Sequence, residues 1–182
     1  MTEVWQLPLE LELLFWILGM LPITVSFLCY WNLIYLMRND EGQGMAEIQV
    51  SVEIDAQIDN VWDVVSDIDN EPKFWKGTKE IRNISKNDNL VNREITIAFR
   101  DQKCMQEVKL YPKEKIEALF TKGVIVGSKI ITLTAKDKKT VLNVKWDIKL
   151  SGMMGMFTGM IKKHIQSGTE QALQKIKEEI ER

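Results

Sequence analysis

The sequence has few of the residues that build covalent or metal-centred sites. Its 182 residues include two cysteines, Cys29 and Cys104, and one histidine, His164. Two cysteines exclude a disulfide-framework fold, and with a single histidine they supply too few ligands for a closed zinc site. Glycine-rich nucleotide-binding motifs, HExxH and CxxC are also missing. The sequence therefore predicts no metal and no cofactor, and it contains no recognisable catalytic constellation.

A strong net charge is missing too, but the charges are unevenly placed. The chain has 24 Lys and Arg against 26 Asp and Glu, a net charge of −2, which argues against a nucleic-acid partner. Residues 1–44 hold one base and five acids, a net −4, whereas residues 45–182 hold 23 bases and 21 acids, a net +2. We expect two units: a hydrophobic segment at 1–44 and a globular domain at 45–182.

The first unit contains a run of 25 residues, 13–37, without a charged side chain. As a helix this run reaches about 37 Å, and the hydrocarbon core of a bilayer is about 30 Å thick. It is therefore predicted to be a single transmembrane helix. Arg38 follows the run and no base precedes it, so the positive-inside rule places the globular domain on the cytoplasmic side.

Two alternatives to the membrane span stay open. Met45 begins MAEIQVSVEIDA, a natural start for a globular domain, so residues 1–44 would come from a misplaced start codon and the protein would be cytoplasmic. An amphipathic surface helix is the other alternative, and it is disfavoured because the run is apolar on all sides.

The second unit predicts an α+β domain. Ile48, Val50, Val52 and Ile54 alternate with polar residues as in a half-buried strand. Two short helices follow, the first capped by Asp59 or Asn60 and the second opening at Pro72 and ending at Gly77. Turn residues then bound six further strands, at 78–86, 90–100, 103–111, 115–122, 126–135 and 140–150. A long helix is predicted over 153–181, from apolar residues at three- and four-residue steps.

These elements predict how the domain is layered. Seven strands with one apolar face need a cover, and the long helix is the only element large enough to provide it. We expect an antiparallel sheet curled around this C-terminal helix, with a cavity between them because one helix cannot fill the concave face of seven strands.

The order of elements and a short motif resemble a known family. Val61-Trp62, Asp67, Pro72 and Trp75 are similar to the opening of the START-like, Bet v 1-like superfamily, also called SRPBCC, in its polyketide cyclase/dehydrase and coenzyme Q-binding branch. The resemblance covers residues 45–182 and implies a helix-grip fold. It also implies a cavity for an apolar small-molecule ligand such as a lipid, isoprenoid or quinone.

Three functions are compatible with this resemblance. The first is non-enzymatic binding or transport of the apolar ligand. The alternatives are a polyketide cyclase/dehydratase-like enzyme and a protein-interaction or chaperone module with a filled core. The volume of the cavity separates the last from the other two, and a buried ionisable group in the cavity separates the enzyme from the binder. The oligomeric state is left open.

The candidate cavity residues are large or flexible groups on the predicted inner faces. Arg93 shares the alternation of Ile95 and Ile97, which allows it to point inward near the start of its strand, but a solvated strand end is the favoured interpretation. Asp147 neighbours Trp146 and is expected to point outward. The full set of candidates is Phe74, Trp75, Arg93, Ile97, Phe99, Phe120, Trp146, Ile148, Met156, Phe157, Met160 and Ile161.

Overall fold

Residues 45–150 and 158–182 are described by a computed structural model of the chain. Strand β1 (Met45–Ile54) is followed by helix α1 (Ile58–Val65), a 3₁₀ turn (Ile68–Asn70) and helix α2 (Glu71–Phe74). Six strands come next: β2 (Thr78–Asn87), β3 (Leu90–Ile97), β4 (Lys103–Tyr111), β5 (Lys115–Lys122), β6 (Ile125–Lys136) and β7 (Lys139–Leu150). Helix α3 (Thr158–Ile180) follows.

The seven strands form one antiparallel sheet in the order β1-β7-β6-β5-β4-β3-β2. Neighbours in the sheet are neighbours in the chain, except that β1 pairs with β7, from Met45 opposite Lys149 to Ile54 opposite Thr140. The predicted helix-grip fold, with its antiparallel sheet, two short helices and C-terminal helix, is confirmed for the described residues.

Alternation along the strands sorts the side chains between the two faces of the sheet. In β7, Leu142, Val144, Trp146, Ile148 and Leu150 are buried, and Asp147 between them is exposed as expected. The buried residues of all strands join those of the helices in one apolar core. This core lies between the sheet and the helices, where it positions the candidate site.

Helix α3 packs onto the core through one face. Thr169, Ala172, Leu173 and Ile176 are buried on this face. The indole Nε1 of Trp146 donates a hydrogen bond of 3.0 Å to Thr169 Oγ1. The Thr169 hydroxyl in turn donates a hydrogen bond of 2.7 Å to the carbonyl oxygen of Ile165. A buried polar pair therefore fixes the position of α3 over β7.

Phe99 corrects one expectation from the sequence. Strand β3 ends at Ile97 rather than at residue 100, because Arg100 and Asp101 adopt positive φ angles of 54° and 53°. The amide of Ile97 then donates to the carbonyl of Gln102, at 2.8 Å, and closes a turn. Phe99 lies in this turn with half of its surface exposed, so the predicted inward orientation is wrong.

Met160 corrects a second expectation. At about 100° per residue it lies about 160° around α3 from Ile176, and its side chain is 67% exposed. The same helix starts at Thr158 in the described residues, and its predicted beginning at residues 153–157 lies outside them.

The short helices differ from their predicted limits. Helix α1 begins at Ile58 with Gln57 as its N-cap and without a side-chain capping bond, so the cap expected from Asp59 or Asn60 is wrong. Helix α2 contains Pro72 in its first turn, as predicted, but ends at Phe74 rather than at Gly77.

Some predicted features fall outside the part of the chain that the structure describes. These are the candidate membrane span at 13–37 and the candidate cavity residues Met156 and Phe157. Among the described helices, none is long and apolar enough to cross a membrane.

Gly127 generates a prediction about the sheet. It has φ +126°, and a Cβ at this position would lie 2.2 Å from the carbonyl oxygen of Asp147 and 2.8 Å from Ile148 Cα. We expect Gly127→Ala to lower the free energy of unfolding by about 3 kcal/mol, because both the backbone strain and the backbone clash oppose the side chain. Denaturant unfolding followed by circular dichroism measures the loss.

The matched control is Gly77→Ala, where the added Cβ has no heavy atom of the described residues within 4 Å, apart from Gly77 itself and its two chain neighbours. We expect it to change stability by less than about 0.5 kcal/mol. Equal stability of the two variants would contradict the assigned geometry of β6 and β7.

Candidate functional site

Three charged side chains meet inside the core, beneath α2. Glu71 comes from the start of α2, Arg93 from β3 and Lys129 from β6. Their side chains are only 9%, 1% and 4% exposed, respectively. One carboxylate oxygen of Glu71 accepts a hydrogen bond from Arg93 Nη2, and the other accepts one from Lys129 Nζ. We call these three residues the ionic cluster.

Arg93 is held in one orientation by further acceptors. Its Nε donates to Gln106 Oε1 at 2.9 Å, and its Nη1 donates to the carbonyl of Ile68 at 2.9 Å. Gln106 lies directly opposite Arg93 in the β3–β4 ladder, and Ile68 lies in the 3₁₀ turn. The planar guanidinium therefore connects two strands with the helical segment above them.

Lys129 has an aromatic environment on its other sides. Its Nζ lies 4.3 Å from the ring centroid of Trp75 and 5.4 Å from that of Trp146. The two indoles meet edge to face with centroids 6.1 Å apart, and Phe120 lies 6.0 Å from Trp146. Ring faces attract a cation and partly compensate for the loss of water around it.

A small cavity lies beside the ionic cluster, between the sheet and the helices. Its volume is about 20 Å³, which is room for about one water molecule. Glu71, Arg93 and Lys129 form the buried polar part of its lining. The apolar walls come from α1, the sheet and α3, and include Val64, Val65, Ala118, Val144, Leu173 and Ile176.

Burial and the neighbouring charges act in opposite directions on Glu71. Burial alone raises the pKa of this carboxyl, but the positive charges of Lys129 and Arg93 outweigh it and lower the pKa to about 2. Burial lowers the pKa of the Lys129 amine, with Glu71 opposing this effect and Arg93 adding to it. Glu71 is therefore a carboxylate at neutral pH, and Lys129 loses its proton more easily than an exposed lysine.

Strand alternation explains how two members of the cluster reach the interior. Arg93 shares the parity of the buried residues Val91 and Ile95, and Lys129 shares that of Ile131 and Leu133. The inward orientation that parity allowed for Arg93 is therefore observed, and the favoured interpretation of a solvated strand end is wrong. Lys129 was not among the residues predicted from the sequence, although the same parity rule applies to it.

Glu71 and Gln106 were also missed. Gln106 lies between the buried residues Cys104 and Val108 in β4, so alternation was a usable signal for it. Glu71 belongs to a four-residue helix after a 3₁₀ turn. No periodicity in the sequence indicates the direction of its side chain.

The structure brings some of the sequence candidates to the cavity and leaves others away from it. Phe74, Trp75 and Arg93 line it. Ile97, Phe120, Trp146 and Ile148 are buried in the surrounding core without lining it, and Ile161 is partly buried against that core. Phe99 and Met160 are exposed. The ligand-binding role of these residues stays a prediction.

The described residues offer no donor set for a metal ion. Within 45–150 and 158–182, no group of three or more His, Cys, Asp and Glu side chains converges. The ionic cluster contains two cations and one carboxylate, and these groups repel a metal cation overall. What the arrangement can do chemically is bind an oxygen atom that carries negative charge, or exchange a proton through Lys129.

Comparison with protein families identifies the domain. Residues 45–181 match the family described as polyketide cyclase / dehydrase and lipid transport. The chain belongs to this family. The SRPBCC resemblance drawn from the sequence is thereby confirmed, and a comparison with curated proteins gave no significant match.

Solved structures share the fold of this polyketide cyclase / dehydrase and lipid transport domain at low sequence identity. A Thermus thermophilus protein is 11% identical over 74% of this chain and 96% of its own, with a TM-score of 0.65. The Zhui aromatase/cyclase of Streptomyces is 15% identical over 76% and 94%, with a TM-score of 0.63. A START superfamily protein of Mycobacterium smegmatis is 16% identical over 74% and 99%, with a TM-score of 0.59. Such identities support the fold alone.

The ionic cluster generates a prediction about pH. Because the pKa of Glu71 is about 2 in the folded chain and its ordinary value is 4.5, its contribution to stability is complete above pH 4.5 and is lost as the pH falls towards 2. We expect Glu71→Gln to lower the free energy of unfolding by about 3 kcal/mol at neutral pH, because two buried cations lose their partner. Denaturant unfolding of both proteins, at pH values from about 7 down to about 2, measures this loss. The difference in stability between the wild type and the variant should shrink as the pH falls.

Glu47→Gln is the matched control. Glu47 pairs with Lys145 on the outer face of the sheet, and its side chain is 68% exposed. Its substitution should change stability little at any pH, because exposed ion pairs contribute little. A Glu71 variant with the same small, pH-independent effect would show that the cluster does not hold the folded state.

Proposed function

We propose that the domain binds an apolar small molecule, such as a lipid, an isoprenoid or a quinone, between the sheet and α3. The observation that carries the proposal is a cavity whose lining combines apolar walls with one convergent polar group, the ionic cluster. This is the usual construction of a small-molecule site. The family description, which includes lipid transport, supports it.

The described cavity is in a closed form. A ligand site usually has about 300–1,000 Å³, whereas this cavity has about 20 Å³. Binding therefore requires the cover to move away from the sheet. The cover is formed by Val64 and Val65 of α1, by α2, and by Leu173 and Ile176 of α3. Glu71 bonds α2 to Arg93 and Lys129 of the sheet, so the movement that costs least is that of α1 and α3, which keeps these bonds.

An enzyme of the cyclase/dehydratase type is the second candidate. The ionic cluster supplies the buried ionisable groups that separate an enzyme from a binder, but Glu71, Arg93 and Lys129 are bonded to one another, so we rank the enzyme below the binder. Such chemistry needs a group that exchanges a proton near neutral pH. Glu71 is unsuited, because two cations lower its pKa to about 2 and leave a weak base. Lys129, whose pKa is lowered by burial, is the group that would carry the proton transfer.

A protein-interaction module with a filled core is the third candidate. The volume of about 20 Å³ favours it, because the core is nearly closed without a ligand. We rank it below the binder because Glu71, Arg93 and Lys129, besides holding α2 against the sheet, all line the cavity, where they can meet a polar group of a ligand.

The test of the binding proposal is the organic extract of the full chain purified natively from its own cells. Mass spectrometry should find one lipid or quinone class close to one molecule per chain. Ala118→Leu should lose this ligand, because Ala118 is 1% exposed and lines the cavity.

Ala98→Leu adds the same side chain on the surface and should retain the ligand. Circular dichroism of both variants verifies that they fold. An empty wild-type chain that also takes up no lipid from mixed vesicles would contradict binding and favour the interaction module.

We further propose that residues 13–37 anchor the domain to a membrane, so that the cavity stays close to a reservoir of apolar ligand. The full chain should sediment with membranes and resist extraction by alkaline carbonate. A chain that begins at Met45 should remain in the supernatant. Full-length chain in the supernatant would overturn the anchor.

A further inference from the structure

The ionic cluster carries more positive than negative charge. With Lys129 protonated, two cations share the single carboxylate of Glu71. Asp67 also borders the cavity, but it is exposed and accepts a hydrogen bond from Asn70 Nδ2 at 2.6 Å. Its charge is therefore screened by solvent, and among the described residues one positive charge in the interior has no counter-ion. A buried charge without a partner is costly.

The cluster also has hydrogen-bond donors to spare. Arg93 uses three of its five N–H groups, on Gln106, Ile68 and Glu71, and Lys129 uses one of its three, on Glu71. The remaining sides of the Lys129 amine face the rings of Trp75 and Trp146, which attract the charge but accept no conventional hydrogen bond. Within the described residues, both cations can still bind an oxygen atom.

The cavity lies at the place where such an atom would sit. Arg93 and Lys129 both line it, and its volume of about 20 Å³ matches one small polar group. Apolar side chains, among them Val144, Leu173 and Ile176, form the rest of the wall. A ligand oriented by this site has a polar head at the cluster and an apolar tail between the sheet and α3.

We infer that the ligand of this domain is an apolar molecule with one acidic oxygen group, of which a carboxylate is the simplest, and that Lys129 and Arg93 bind this group. The inference rests on the proposed binding function and specifies the ligand of that same site. The acidic group neutralises the surplus charge of the cluster, whereas an alcohol, ester or ketone of the same shape leaves it buried.

This charge difference predicts selectivity. Losing a hydrogen bond to a charged group lowers affinity by about tenfold or more. We therefore expect the full chain to bind octanoate at least about tenfold more tightly than 1-octanol or methyl octanoate at pH 8. Calorimetric titration in an uncharged detergent, with protein-free micelles as the blank, measures all three.

Lys129→Met tests the residue. Methionine keeps the length and apolar stem of lysine, and Glu71 and Arg93 remain as a neutral pair. The variant should lose about tenfold in affinity for octanoate and should bind 1-octanol like the wild type. Lys145→Met is the matched control, because Lys145 lies on the neighbouring strand β7 and pairs with Glu47 on the outer face. It should bind all three probes like the wild type.

A second measurement needs no variant. Octanoate labelled with ¹³C at its carboxyl carbon reports its own titration by NMR. Two neighbouring cations favour the ionised form, so the bound acid should titrate at a lower pH than the free acid. A merely structural role of Lys129 would not change this titration.

The outcomes are distinguishable. Preference for octanoate that Lys129→Met abolishes, or a lowered titration of the bound acid, supports the inference. Equal binding of the acid, the alcohol and the ester, with an unshifted titration, overturns the acidic head group but leaves apolar binding intact. Failure of all three probes to bind, in a chain whose extract is also empty, overturns both.

Discussion

The carboxylate of Glu71 links the short helix α2 to the sheet, through Arg93 on β3 and Lys129 on β6. Helix α2 has four residues and buries one apolar side chain, Phe74. Apolar contacts alone therefore stabilise its position only weakly. Glu71 adds bonds to Arg93 and Lys129, which lie on strands β3 and β6. A buried ion pair contributes little net stability against an apolar replacement, but it fixes geometry, since a carboxylate cannot leave its cations without a large cost.

Several features of the site depend on this link. The 3₁₀ turn before α2 supplies the carbonyl of Ile68 to Arg93, and Trp75 directly after α2 covers Lys129. Trp75 in turn contacts Trp146, whose indole bonds to Thr169 of α3. Polar and aromatic contacts therefore run from α2 across the sheet to the C-terminal helix. The cavity is enclosed by the same elements, so its closed form depends on these contacts.

Most of the fold was predictable because its signals are periodic. Strands β4 and β5 have the predicted bounds, since Pro112 and Gly123 mark the ends of alternating segments. Alternation failed at Phe99, where the backbone of the next two residues turns the chain before the pattern ends. The helical three- and four-residue spacing failed for Met160, because an apolar residue near the start of a helix can fit that spacing without facing the core.

The candidate site was less predictable. The parity rule places Arg93 inside, and it places Lys129 and Gln106 inside on the same grounds, although charge and polarity argue against burial at these positions. Their burial is favourable only together, because each satisfies a neighbour on a different element. Glu71 completes the set from a segment without periodicity. A sequence read strand by strand does not reveal such a partner, because it depends on tertiary packing.

The pairing of β1 with β7 has a consequence for how the domain is made. Met45 lies opposite Lys149, so the first strand finds its partner only after the last strand has been synthesised. Closing a loop of that length costs entropy before any contact compensates for it, and contacts between distant residues slow folding. Until then the apolar side chains of β1, such as Ile48 and Ile54, remain uncovered on the nascent chain. During synthesis β1 is therefore the strand that stays longest without its partner, and its apolar side chains are open to wrong contacts for the longest time.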